Sequence, residues 1–317
     1  MQKLFILLLA WFVLPSDLPA QMLILDRGPA AGSSTSLRLP KQSEGFLADD
    51  FQVGTATEDW VIDHIRLWAV PDPRATNPRD LGDLVKKISL YGGIAPDPPP
   101  PNQKPGADCD CHNLPALEVA ALEPGSDSTD NPNVKVSSDQ GSGTPLIWQI
   151  DFENLKWSVP GGTGIQFGVL ADPYPNYGWF YLASPAAAGP HLRVFSNVGK
   201  FQGPFHSAEG PRINIQVWGH LLARISIEGD AGGFRVTLWG ASSLDTGRVD
   251  TASLRFGPRS ASPGKVQVED VNHDGKLDLV IYFRAADIGL GPKSVNACLS
   301  GRLENGTPFE GCDLLAH

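Results

Sequence analysis

The chain has 317 residues and a formal charge of −10, from 25 Lys and Arg against 35 Asp and Glu. Such a charge repels DNA, RNA and anionic lipid, so it argues against nucleic-acid binding and electrostatic membrane attachment. With 34 Gly, 28 Pro and 2 Met, the composition suits turn-rich β structure better than helices, and the length is a prior for two domains.

Residues 1–20 have the pattern of a secretory signal peptide. Lys3 precedes an apolar run of 11, Leu4 to Leu14, too short to cross a bilayer as a helix, and Leu18-Pro19-Ala20 forms a cleavage site before Gln21. The expectation is an exported, secreted protein without membrane insertion.

From 21 to about 220, candidate strands recur between Gly, Pro, Asp and Asn punctuation: Trp60 to Trp68, Lys87 to Tyr91, Leu146 to Phe152, Gly164 to Leu170, Trp179 to Ala183, Leu192 to Phe195 and Ile213 to Trp218. Asp80 to Val85 suits one helical turn. The pattern predicts an all-β fold, with a jelly-roll-like β-sandwich over 21–220. Two stretches read as loops: the proline-rich Ile94 to Pro105, and the polar Glu123 to Pro145. Trp60, Trp68, Trp148, Trp157 and Trp218 fall in strand-like runs and are expected in the core, as is Trp239 further on.

Three short features of this unit carry possible chemistry. Asp49-Asp50 before Phe51 is a carboxylate pair of the kind glycosidases use, with turn and backbone hydrogen bonding as its ordinary role. Cys109-Asp110-Cys111-His112 offers soft ligands for Zn²⁺ or Cu, but three ligands only, against a plain local disulfide. Asp172 to Tyr181 concentrates aromatics among turn formers. Tyr174, Tyr177 and Trp179 are the candidate ligand-binding residues, because aromatic faces stack on sugar rings, although Trp179 and Tyr181 also alternate as core residues do.

Residues 221–317 are expected to form a second, small β-sandwich. Its strands are placed at Leu222 to Ile227, Phe234 to Trp239, Ser253 to Phe256, Lys265 to Val268, Leu279 to Phe283 and Ala297 to Arg302. Within it lies Asp270-Val271-Asn272-His273-Asp274-Gly275-Lys276-Leu277-Asp278, an oxygen-rich loop with spacing suited to Ca²⁺. Asp270, Asn272, Asp274 and Asp278 occupy odd positions, Lys276 stands where a backbone carbonyl is used, and Gly275 permits the sharp bend. An EF-hand is excluded, since loop position 12 is Ile281 rather than Glu and both flanks are strand-like. The bland alternative is a polar turn without metal.

The segment Glu269 to Val280, EDVNHDGKLDLV, resembles the calcium loops of FG-GAP and VCBS-type segments in secreted and surface proteins. The resemblance implies Asp270, Asn272, Asp274 and Asp278 as ligands. Ala223 to Cys312 also resembles a C-terminal module of secreted bacterial proteins, through VDTASLRFG (Val249 to Gly257), the calcium loop and GTPFEGCD (Gly306 to Asp313). No activity attaches to that module. A propeller needs at least four blades and one loop of this kind is present, so none is implied.

The four cysteines allow three pairings, of which Cys298 with Cys312 is favoured. Glu304-Asn305-Gly306 reads as a hairpin turn, and a ladder centred on Asn305 places the two cysteines opposite each other. Asn305-Gly306-Thr307 is also a glycosylation sequon, relevant only in a eukaryotic secretory host. No G-x-S-x-G, H-E-x-x-H, phosphate loop or dinucleotide fingerprint occurs. The sequence therefore points to a secreted, non-catalytic, Ca²⁺-binding β protein with a carbohydrate or cell-surface ligand. A Ca²⁺-stabilised hydrolase and a structural envelope or matrix protein are the alternatives.

Overall fold

The computed structural model describes residues 21–29, 35–38, 46–71, 85–94, 114–115, 117–122, 134–139, 147–173, 179–183, 192–195, 200–201, 205–208, 213–229, 232–291 and 293–315. In chain order the strands are β1 (Met22–Asp26), β2 (Thr35–Arg38), β3 (Phe46–Gln52), β4 (Asp59–Pro71), β5 (Val85–Ile94), β6 (Leu114–Pro115), β7 (Leu117–Leu122), β8 (Val134–Asp139), β9 (Ile147–Phe152), β10 (Trp157–Pro160), β11 (Gly164–Pro173) and β12 (Trp179–Ala183). They continue as β13 (Leu192–Phe195), β14 (Lys200–Phe201), β15 (Phe205–Ala208), β16 (Ile215–Leu222), β17 (Ile225–Gly229), β18 (Gly233–Leu238), β19 (Val249–Phe256), β20 (Lys265–Glu269), β21 (Asp278–Arg284), β22 (Asn296–Leu303) and β23 (Pro308–Leu314). A 3-10 turn at Thr246–Arg248 and one helical turn, α1 (Ala285–Ile288), complete the described elements, so the fold is all-β as expected.

An 11-stranded sheet follows the path β19-β22-β23-β16-β4-β12-β2, with β1 on β16, β9 and β10 on β4, and β8 on β9. A 6-stranded sheet runs β15-β13-β3-β11-β5-β7, and a 4-stranded sheet runs β17-β18-β21-β20. Among the described strands the pairing of β16 with β23 is parallel, through Leu221↔Phe309 and Leu222↔Glu310. β16 crosses residue 220, so one sheet continues from the N-terminal part of the chain into the C-terminal part.

The long strand β4 shows how the sequence produces this arrangement. Its β-branched and aromatic residues fit a pleated, buried surface. Ile62, Ile65 and Leu67 are fully buried, yet Ile62 and Ile65 differ in parity. The ladder with β16 slips between Trp218↔His64 and Gly219↔Ile62, leaving Asp63 as an extra residue. This is a bulge, and it resets which side chains face the core.

Residues from the two larger sheets form one hydrophobic cluster, including Phe51, Ile88, Leu90, Ile165 and Phe167 with Ile62, Ile65, Trp148, Ile150 and Phe152. Phe51 of β3 meets Trp157 of β10 edge-on, with ring centroids 6.5 Å apart. Gly92 permits this approach, because a Cβ there would lie 2.4 Å from the Trp157 ring. In the C-terminal part, Phe256 of β19 packs on Phe283 of β21 at 4.9 Å and on Phe234 of β18 at 6.1 Å.

Several expectations need correction. Glu123 to Pro145 contains a strand, β8, paired with β9 from Val134↔Phe152 to Asp139↔Ile147; the alternation of Val134 and Val136 outweighs the polar composition around them. Leu222 to Ile227 is divided between β16 and β17 at Ala223 and Arg224. Asp49 and Asp50 lie inside β3 rather than in a turn, while Asp49 does accept a backbone hydrogen bond, from the Ile213 N–H. Trp60, Trp68 and Trp148 are buried as expected, whereas Trp157, Trp218 and Trp239 are half-buried. Residues 1–20, 80–84 and 95–113, which carry the signal peptide, the helical turn and the Cys109, Cys111 and His112 cluster, lie outside the described residues.

Candidate functional site

The 270–278 loop joins β20 to β21, so adjacent antiparallel strands enter and leave it. Its turn depends on two residues with positive φ, His273 at 58° and Gly275 at 84°. The Asp270 carboxylate accepts the N–H of Asp274 at 3.1 Å on one oxygen and of Gly275 at 3.0 Å on the other. Asn272 Oδ1 also accepts from Asp274 N, at 3.1 Å, and Asn272 Nδ2 donates to Asp274 Oδ2 at 3.0 Å. Asp274 Oδ1 accepts the Lys276 N–H at 2.9 Å. The Lys276 N–H and the Asn272 amide hold the Asp274 carboxyl below the usual carboxylate range.

Asp278 differs from the others. It is fully buried, and its two oxygens accept the N–H of Gly240 at 2.8 Å and of Val271 at 2.9 Å. Oxygens bound to one Ca²⁺ at about 2.4 Å lie no more than about 4.8 Å apart. Among the described residues, the trio of acidic, His or Cys ligand atoms within 4.8 Å of one another is Cys298, Glu310 and Cys312, not Asp270, Asp274 and Asp278. Its two cysteines are joined as a disulfide and so are not thiolate ligands. Asp278 holds position 9 of the 270–278 loop, a position that in twelve-residue EF-hand loops often meets the ion through water. The loop's donors are hard oxygens, the kind Ca²⁺ takes, and Asp278 anchors the base of the loop.

Of the aromatic candidates, Trp179 begins β12, paired with Pro71 of β4, while Tyr174 and Tyr177 lie outside the described residues. Cys298 and Cys312 face each other across β22 and β23 and form a disulfide, as the hairpin register predicted. The turn between them places Gly306 at φ 86°.

Sequence reasoning missed the partners of three buried carboxylates, Asp151, Asp63 and Asp49. His64 Nε2 lies 2.6 Å from Asp151 Oδ1, to which Arg66 Nε also donates at 2.6 Å, while Gln149 donates to the second oxygen at 2.7 Å. Burial pushes the Asp151 carboxyl up, but the hydrogen bonds from His64, Arg66 and Gln149 outweigh it and hold it below its ordinary value. Trp218 stacks on His64 with centroids 4.3 Å apart, and the Arg66 guanidinium lies 5.2 Å from the Trp218 ring centre. His220 Nδ1 lies 2.6 Å from Asp63 Oδ2, beside the β16–β23 junction. Arg27 donates to Asp49 at 2.7 Å, linking the chain after β1 to β3. The available signal was the presence of Asp63, His64 and Arg66 within an otherwise apolar strand pattern.

Compared with known proteins, the chain matches no protein-family model and no curated protein. Among the described residues, no helix is long and apolar enough to cross a membrane.

Proposed function

We propose that this chain is an exported, non-catalytic β protein stapled by Ca²⁺ at the 270–278 loop, which engages a glycan or another cell-surface ligand. The reading is carried by one observation: Asp270 accepts two successive backbone N–H groups of its own loop. That pattern orders the backbone of the tight turn that carries the acidic side chains. Asp270, Asn272, Asp274 and the Lys276 carbonyl are the residues to hold the ion, with Asp278 reaching it through water. Bound Ca²⁺ supplies neutralisation of three carboxylates that otherwise repel one another. Metal binding then couples to the stability of the β20–β21 hairpin.

The test is thermal melting of residues 21–317 in EDTA and after addition of Ca²⁺. A Ca²⁺-dependent rise that Asp274→Ala abolishes supports the reading. An equal rise in that variant sinks the site assignment, and no rise reduces the loop to an acidic turn.

A further inference from the structure

The 4-stranded sheet has the 270–278 loop at one end of its β20–β21 hairpin and a pocket of about 580 Å³ at the other. We propose that this pocket binds a ring-bodied carboxylate, of the class represented by a uronic-acid residue of an acidic glycan. The proposal deepens the ligand-binding half of the preceding reading and does not depend on Ca²⁺ occupying the loop.

Glu228, Phe234, Arg235, Tyr282, Phe283 and Arg284 line the pocket. The register explains why they meet. Glu228 pairs with Arg235, Arg235 with Tyr282, and Tyr282 with Lys265, forming one row across all four strands. Gly233 pairs with Arg284 two rows on, so the second arginine arrives at the same end and on the same face of the sheet.

The charges in this row are not equivalent. Arg235 is engaged by Glu228 at 2.8 Å. Lys265 Nζ lies 5.5 Å from the Tyr282 ring centre. Arg284 is exposed and has no carboxylate partner among the described residues. Among the described residues, two cations, Arg235 and Arg284, line the pocket against one carboxylate, Glu228, on a chain whose net charge is −10. A free guanidinium fork matches a carboxylate in two parallel hydrogen bonds.

The rest of the pocket favours a ring. Tyr282, half-buried and two residues from Arg284, shares its face of β21, whereas Phe234 turns toward Phe256 with its ring against Gly229. An aromatic face beside a charged fork takes the apolar face of a pyranose and its carboxylate together. The volume lies within the roughly 300–1,000 Å³ of small-molecule sites.

The experiment is calorimetric titration of residues 21–317 with an oligogalacturonate, the neutral oligogalactose of equal length, and inorganic phosphate. The expected result is binding of the oligogalacturonate alone, weakened about tenfold or more by Arg284→Gln and partly restored by Arg284→Lys, with melting temperatures unchanged. Equal binding of the neutral oligomer, binding of phosphate in its place, an unaffected Arg284→Gln variant, or no binding overturns the assignment. Melting with and without Ca²⁺ is recorded on the same samples. Failure of the oligogalacturonate with an intact Ca²⁺ response removes the pocket assignment alone.

Discussion

The carboxylate of Asp278 accepts the backbone N–H of Gly240 at 2.8 Å, joining the base of the acidic loop to the chain just after β18. Its second oxygen accepts from Val271. Asp278 therefore has a structural role independent of any ion, unlike the exposed Asp274. Asp278→Ala leaves two N–H groups without their acceptor, at about 1–3 kcal/mol for each buried one. Denaturant unfolding in EDTA should show that loss in full, whereas Asp274→Ala should change stability little in EDTA and remove only the response to Ca²⁺.

Arg27 and Asp49 form an ion pair whose side chains are 8% and 0% exposed, between the chain after β1 and a strand of the 6-stranded sheet. Asp49 also accepts the Ile213 N–H at 3.0 Å. Asp49→Ala removes a carboxylate from a buried guanidinium and the acceptor of the Ile213 N–H, and the expected loss is about 3–5 kcal/mol by urea unfolding. A loss below 1 kcal/mol would mean that water reaches Arg27.

Glu310 offers a pH test. Burial pushes its carboxyl above the ordinary range and Asp63 adds to this, while His220 and Lys156 pull the other way. The folded chain thus holds this proton more tightly than the unfolded chain. The associated stability is complete below the unfolded pKa and is lost as pH rises through the raised folded value. Glu310→Gln keeps the site neutral at every pH. The variant should withstand more urea than the parent near pH 7, with the difference vanishing near pH 4. A variant less stable than the parent near pH 7 would show that the carboxylate is needed beside His220.

The Cys298–Cys312 disulfide spans 14 residues of a single hairpin. In the chain-entropy account, closing a loop of about 15 residues contributes about 3 kcal/mol. The Cys298→Ser, Cys312→Ser double variant should lose about that much in denaturant unfolding and keep the antiparallel β22–β23 pair, seen by protection of the Leu303 N–H, which donates to Thr307.

Two features were legible in the sequence because their parts are close along the chain. The 270–278 loop holds all its oxygens within nine residues, so spacing alone suggests the turn. The disulfide follows from one hairpin, since choosing Asn305 as the centre sets the partner of Cys298. Strand identity was readable where β-branched and aromatic residues cluster, as in β12 and β13. Composition misled at β8, where six residues that pair with β9 sit inside a polar stretch.

Tertiary structure decided what depends on register between distant strands. The one-residue slip at Asp63 determines which of Asp63, His64 and Ile65 reaches the core, and no local pattern announces it. The His64–Asp151, His220–Asp63 and Arg27–Asp49 pairs join residues 87, 157 and 22 positions apart. Asp278 has the sequence position of a ligand, and the Gly240 N–H that it accepts also makes it the anchor of the loop base. Short-range chemistry is written in spacing; a buried charge acquires its partner only when sheets close over it and remove the water that would otherwise solvate it.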